Sequence, residues 1–113
     1  MLFLEGEMKE IEYEFYLTSD SEDRIRVNFL KEKGEILEFM IQYEAKISEK
    51  WYSIIRYDTS HNFAHIDKIY PDGKIEKQPL YFPSYNLAFI YATVNLKKNW
   101  KMYREDFERR MKE

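Results

Sequence analysis

Residues 9–45 read KEIEYEFYLTSDSEDRIRVNFLKEKGEILEFMIQYEA, and the way this stretch alternates decides the fold. In its first segment Ile11, Tyr13, Phe15 and Leu17 are apolar, while Glu10, Glu12 and Glu14 between them are charged. A period of two sends one set of side chains to a buried face and the other to water, the pattern of a half-buried strand. The same period returns at Ile25, Val27 and Phe29 against Arg24, Arg26 and Asn28. It returns again at Leu37, Phe39, Ile41, Tyr43 and Ala45 against Glu38, Met40, Gln42 and Glu44. The breaks are short turn clusters, SDSED at 19–23 and KEKGE at 31–35, where Gly34 can take positive φ. Short connections make antiparallel neighbours. Glu10, Glu12 and Glu14 then stand across from Arg24 and Arg26, pairs worth roughly 0.2–1 kcal/mol each that help to fix register.

Downstream, WYSIIRYD (51–58) reads as a fourth strand and NFAHIDKIY (62–70) as a fifth. YPDG (70–73) is a strong turn, and KIEKQPLYF (74–82) starts a sixth strand that Pro79 confines to an edge or terminates. From Pro83 the period changes: Phe89, Ala92, Leu96, Trp100, Tyr103, Phe107 and Met111 recur at spacings of three and four, the stripe of an amphipathic helix. Ser84 or Asn86 can cap its start, and basic residues crowd its end, where they complement the helix dipole. The expected fold is therefore α+β. One domain over 1–113 would hold an antiparallel meander of about six strands (about 8–82) packed against one long C-terminal helix (about 85–112). The helix's first half, LAFIYA (87–92), is apolar nearly all round and is expected to be clasped by the sheet, leaving the second half to overhang. Trp100, Tyr103 and Phe107 fit either packing on the sheet or a surface for a homodimer or protein partner. With Lys97, Lys98 and Lys101 nearby, a nucleobase-stacking platform is a third reading.

Composition narrows the function. Twenty aromatic residues (10 Tyr, 8 Phe, 2 Trp) give a bulky single core. The absence of cysteine excludes disulfides, thiolate metal sites, Fe–S clusters and cysteine nucleophiles. The opening MLFLEGEMKE lacks the apolar run of a leader, and no stretch approaches a membrane span, so a soluble cytoplasmic protein is expected. The many Lys and Glu with no Cys also suit a thermophile. Residues 1–49 hold 6 basic and 13 acidic groups, whereas 97–113 hold 7 and 4. An acidic body makes nucleic acid a minor expectation, with the basic tail the place for any such contact.

Chemistry concentrates in RYDTSHNFAHID (56–67), which holds both histidines of the chain. A hairpin with a loop at Thr59–Asn62 sets Arg56 opposite His65 and Asp58 opposite Phe63. One face then carries Tyr52, Ile54, Arg56, Asp58, Phe63, His65 and Asp67; the other, with Trp51, Ile55, Tyr57, Ala64 and Ile66, is core. His61, His65, Asp58, Arg56 and Asp67 are the candidate catalytic set, one histidine as acid or base, an aspartate fixing its tautomer and Arg56 holding an anion. On an extended strand His61 and His65 stand roughly 13 Å apart, so neither a metal nor a cofactor is expected; only a looped path from 58 to 65 would bring them together. The same residues can also serve the fold alone, since Asp58 can cap the loop and Asp67 can pair with Lys77.

RYDTSHNFAHIDKIYPDGKI followed by NLKKNWKMYREDF resembles a family of small uncharacterised prokaryotic proteins, a domain of unknown function with a YDT-x-H-x-x-x-H…P-D-G hairpin before a helix. The resemblance spans roughly residues 50–110 and implies the hairpin-plus-helix layout without an assigned activity. More loosely, Asp58, His61 and His65 resemble the hairpin of TumE-like toxin components of toxin–antitoxin systems; where those carry further histidines, this chain has Ile66 and Asp67. Two functions follow as expectations. One is a non-enzymatic module that self-associates or binds a partner. The other is a toxin-like, metal-independent hydrolase acting on RNA or nucleotides through the hairpin.

Overall fold

The computed structural model describes residues 8–113; the first seven, which make up most of the opening MLFLEGEMKE, lie outside the described residues. Six strands run in chain order as one antiparallel meander: β1 (Met8–Tyr16), β2 (Asp23–Glu32), β3 (Glu35–Ile47), β4 (Lys50–Asp58), β5 (His65–Ile69) and β6 (Ile75–Pro79). A single helix, α1 (Tyr85–Met111), follows. The α+β reading holds. Two of the turns hold only two residues each. Glu32 pairs with Glu35, leaving Lys33 and Gly34 (φ 52° and 81°) as a two-residue turn whose twist suits the flanking strands. Ile47 pairs with Lys50 in the same way across Ser48 and Glu49.

The helix lies on one face of the sheet, along β3 and β4. Ile25, Val27, Phe39, Ile41, Tyr43, Ala45, Ile55 and Tyr57 are buried beneath it, and the helix contributes Ala88, Ala92, Leu96 and Phe107. Small alanines in the first half let the helix approach β3 closely. Phe89 then fits edge-on against Phe29 and Phe39, at 5.0 and 5.6 Å between ring centres. Ser84 caps the helix by accepting a hydrogen bond from the Leu87 amide. Asn86, the other candidate cap, instead staples the helix start to the β2–β3 turn: its amide donates to the Gly34 carbonyl and its carbonyl accepts from the Ile36 amide.

At the far end an ionic latch fixes the helix. The buried carboxylate of Asp23 accepts from the Tyr43 hydroxyl at 2.6 Å and from Arg104 at 2.8 Å, while Arg104 also donates to the Lys46 carbonyl. Burial, then the hydrogen bond to Asp23, pushes the Tyr43 hydroxyl far above its usual range, so it stays a donor. Nearby, Asp106 on the helix meets Lys68 of β5 at 3.3 Å and Arg110 at 3.1 Å.

Two expectations are corrected. A bulge places Ile54 between the pairs Tyr43–Ile55 and Glu44–Ser53, so the two ends of β4 present opposite parities. Tyr52 therefore turns to the helix, 5.4 Å from Phe107, and Trp51 turns to the other face under the Arg24 guanidinium. The second correction concerns the helix. The sheet touches only one side of LAFIYA, and Leu87, Ile90, Tyr91 and Val94 remain exposed on the outer side.

Replacing Arg104 with Ala strands the Asp23 carboxylate in the core. The expected loss is about 2–4 kcal/mol by urea denaturation, against 1 kcal/mol or less, roughly, for the exposed Arg109→Ala.

Candidate functional site

The face of the sheet opposite the helix carries a row of charges that crosses all six strands. Glu14 of β1 approaches Arg26 of β2 at 3.8 Å, and Arg26 approaches Glu44 of β3 at 3.5 Å. Arg24 donates to Glu44 at 2.7 Å, Gln42 donates to the same carboxylate, and Arg56 of β4 donates to Gln42 at 2.7 Å. Arg56 also lies 3.6 Å from Asp67 of β5, and Lys77 of β6 donates to Asp67 at 2.8 Å. The signs alternate along the row, so Glu44 and Asp67 each have more than one cation beside them. Gln42, Glu44 and Asp67 are buried although no second layer of secondary structure covers them among the described residues. Arg24 and Arg26 lie against Glu44, and Arg56 lies against Gln42 and Asp67.

At one end of the row sit the hairpin residues. The loop between β4 and β5 is Thr59–Ala64, two residues longer than expected, because Asp58 pairs with His65 and Arg56 with Asp67. The shift is by two, an even number, so Arg56, Asp58, His65 and Asp67 keep their expected face. Thr59 extends β4's hold on β3: its amide donates to the Phe39 carbonyl and its hydroxyl accepts from the Phe39 amide. A single turn of 3-10 helix at Ser60–Asn62 follows, with His61 and Asn62 at φ 67° and 68°. This bent path brings the two imidazole ring centres to 6.4 Å, about half the separation of an extended strand.

Four of the five candidate residues converge. Asp58, His65 and Asp67 bring ligating atoms within 4.8 Å of one another, and Arg56 flanks Asp67. His61 stays outside, exposed in the loop. His65 is 0% exposed, shut in by Phe63, whose ring centre lies 5.2 Å away. Its Nδ1 lies 3.2 Å from the Phe63 carbonyl oxygen. A carbonyl only accepts, so Nδ1 carries the proton. Nε2 faces the carboxylates, 2.6 Å from Asp58 and 3.6 Å from Asp67, yet has no aligned hydrogen bond. Asp58 in turn accepts from the amide and hydroxyl of Ser60, the loop cap the sequence suggested.

The helix residues Trp100, Tyr103 and Phe107 face the sheet. Trp100 tilts over Tyr43 at 6.1 Å, Phe107 is buried against Tyr52, and Tyr103 donates to the Asn95 side chain that also accepts from Tyr57. Burial raises the Tyr57 hydroxyl well above its usual range, so it too stays protonated. The apolar surface that is exposed runs along Leu87, Ile90, Tyr91 and Val94, the i, i+3, i+4, i+7 positions of one helix face. It continues through Phe82, whose ring centre lies 5.3 Å from Tyr91, to Tyr81, which is 89% exposed. The continuous hydrophobicity of LAFIYA was the signal for it.

Among known protein families, the model described as "Domain of unknown function (DUF7718)" matches residues 8–113. The chain belongs to this family. The DUF7718 match covers the whole described sheet and helix, so all six strands and the helix fall within one family unit. Searches of curated proteins and of solved structures found no match. Among the described residues, no helix is long and apolar enough to cross a membrane.

Burial separates the two histidines by experiment. His65→Ala is expected to cost about 2–4 kcal/mol in chemical denaturation, because it removes a fully enclosed ring and leaves two carboxylates facing each other. His61→Ala should change stability by roughly 0.5 kcal/mol or less.

Proposed function

We propose that the protein is a non-enzymatic module that pairs with a second copy of itself through the outer face of its helix. The observation that carries this reading is the exposed apolar face of Leu87, Ile90, Tyr91 and Val94, extended by Phe82 and Tyr81. Ile90 and Val94 are each 57% exposed, on a helix whose opposite side is already satisfied by the sheet. A twofold pair needs only one self-complementary patch, and a straight helix face meets its own copy by packing ridges into grooves.

Area supports the same occupant. Covering these six partly exposed residues removes on the order of 500 Å² from each chain, close to the ~1,000 Å² total at which a specific interface becomes stable. The patch is also free of charge, with Lys97, Lys98 and Lys101 starting only beyond it. That is the apolar-centre, polar-rim arrangement of a protein interface.

A hydrolase working through the hairpin has less support. Its best base, His65, has no exposed surface through which to meet a substrate.

Sedimentation velocity tests the pairing. The unaltered chain is expected to sediment, at rising concentration, as a species of twice its 14.0 kDa mass. Ile90→Glu with Val94→Glu should return it to the monomer without loss of helix content, since neither side chain belongs to the core. A chain that remains monomeric throughout overturns the proposal.

A further inference from the structure

The environment of His65 asks for a positive centre that the surrounding side chains do not supply in the right place. With Nδ1 protonated toward the Phe63 carbonyl, a ring without a second proton would direct its Nε2 lone pair at Asp58 Oδ1 and Asp67 Oδ1. Lone pair against carboxylate is repulsive, and Nε2 has no surface exposed to water that could relieve it. Two kinds of positive centre can stand there. A second ring proton must point along the Nε2–H direction, and neither oxygen is aligned to accept it. A metal ion is bound by the lone pair itself and needs only that the other donors converge around it.

We infer that Asp58, His65 and Asp67 form a divalent-metal site, with one imidazole nitrogen and two carboxylate oxygens as ligands. This donor set is of intermediate hardness and suits Zn²⁺. The supporting contacts are already built. The Phe63 carbonyl holds the ring's other nitrogen, which fixes tautomer and orientation, and Ser60 holds Asp58 through two hydrogen bonds. Three protein ligands leave a fourth position for water. Asp58 supplies the way in, because it also lines a shallow cleft with Asn28, Glu38, Met40 and Ser60.

Lys77 and Arg56 oppose the ion, since both neutralise Asp67. Lys77 stands on β6, every residue of which is exposed, so its ammonium can swing into water. Arg56 is held to Gln42 and approaches the other oxygen of Asp67, Oδ2, at 3.6 Å. The site is thus a competition between Lys77 and the metal for one carboxylate oxygen. A further donor, His61, stands in the loop above.

The test is titration calorimetry of the chelator-treated full chain with Zn²⁺, with Co²⁺ absorption as a spectroscopic check. One saturable Zn²⁺ per chain is expected, with visible bands of low-coordinate Co²⁺. Asp58→Asn, at a partly exposed position, should weaken binding at least roughly tenfold while leaving the chain folded by circular dichroism. Lys77→Gln should tighten it severalfold, a change that a merely structural ion pair does not produce. A folded parent chain with no saturable Zn²⁺ binding overturns the inference, as does Zn²⁺ binding that Asp58→Asn and Asp67→Asn leave unaltered.

Discussion

One helix has to serve six strands. A sheet of this width has two faces, and a single helix about 10 Å across covers one of them only in part, along β3 and β4. The rest of the architecture follows from that shortage. Beneath the helix the core is built of large aromatics and isoleucines, which bury the most area per residue. The latch of Asp23, Tyr43 and Arg104 at one end and the Asn86 staple at the other hold the helix in its single position. On the opposite face no second layer arrives among the described residues, and the chain covers β2 to β5 with its own charged side chains.

The charge row is what makes that open face tolerable. Buried carboxylates without partners would cost several kcal/mol each, by general experience about 3–5 for a broken buried pair. Alternating signs across the strands give Glu44 and Asp67 two cations each. His65 departs from this balance. Its position under the Thr59–Ala64 loop puts a buried Nε2 without an aligned hydrogen bond between two carboxylates.

Much of this was legible in the residues. Period-two alternation from Ile11 to Ala45 and the change of period after Pro83 pointed to strands, helix and order, because each depends on local spacing alone. The face shared by Arg56, Asp58, His65 and Asp67 was also readable, and it survived an error of two residues in loop length because side chains repeat every two. Two features were not readable. The bulge at Ile54 leaves no mark in a run of apolar residues, and it exchanged the faces of Trp51 and Tyr52. The positive φ of His61 and Asn62 carries no glycine to announce it, so the longer, bent loop was hidden too. Trp100, Tyr103 and Phe107 fitted the core by spacing, with a surface for a partner as the second reading. Only the position of the sheet decides that they face inward and that Ile90 and Val94 face out.

The same shortage of covering elements connects fold to proposed function. A helix that is apolar on both sides, with no further described element packed on it, has its outer face available to another copy. Because the chain has no cysteine, a single introduced thiol reports that contact without interference. The decisive measurement is the rate of disulfide formation in Val94→Cys under mild oxidation, compared with Glu12→Cys on the open face of the sheet. Disulfides require β-carbons about 3.5–4.5 Å apart, so pairing across the helix face predicts rapid covalent dimers for Val94→Cys and slow ones for Glu12→Cys. Equal rates at the two positions would contradict the account.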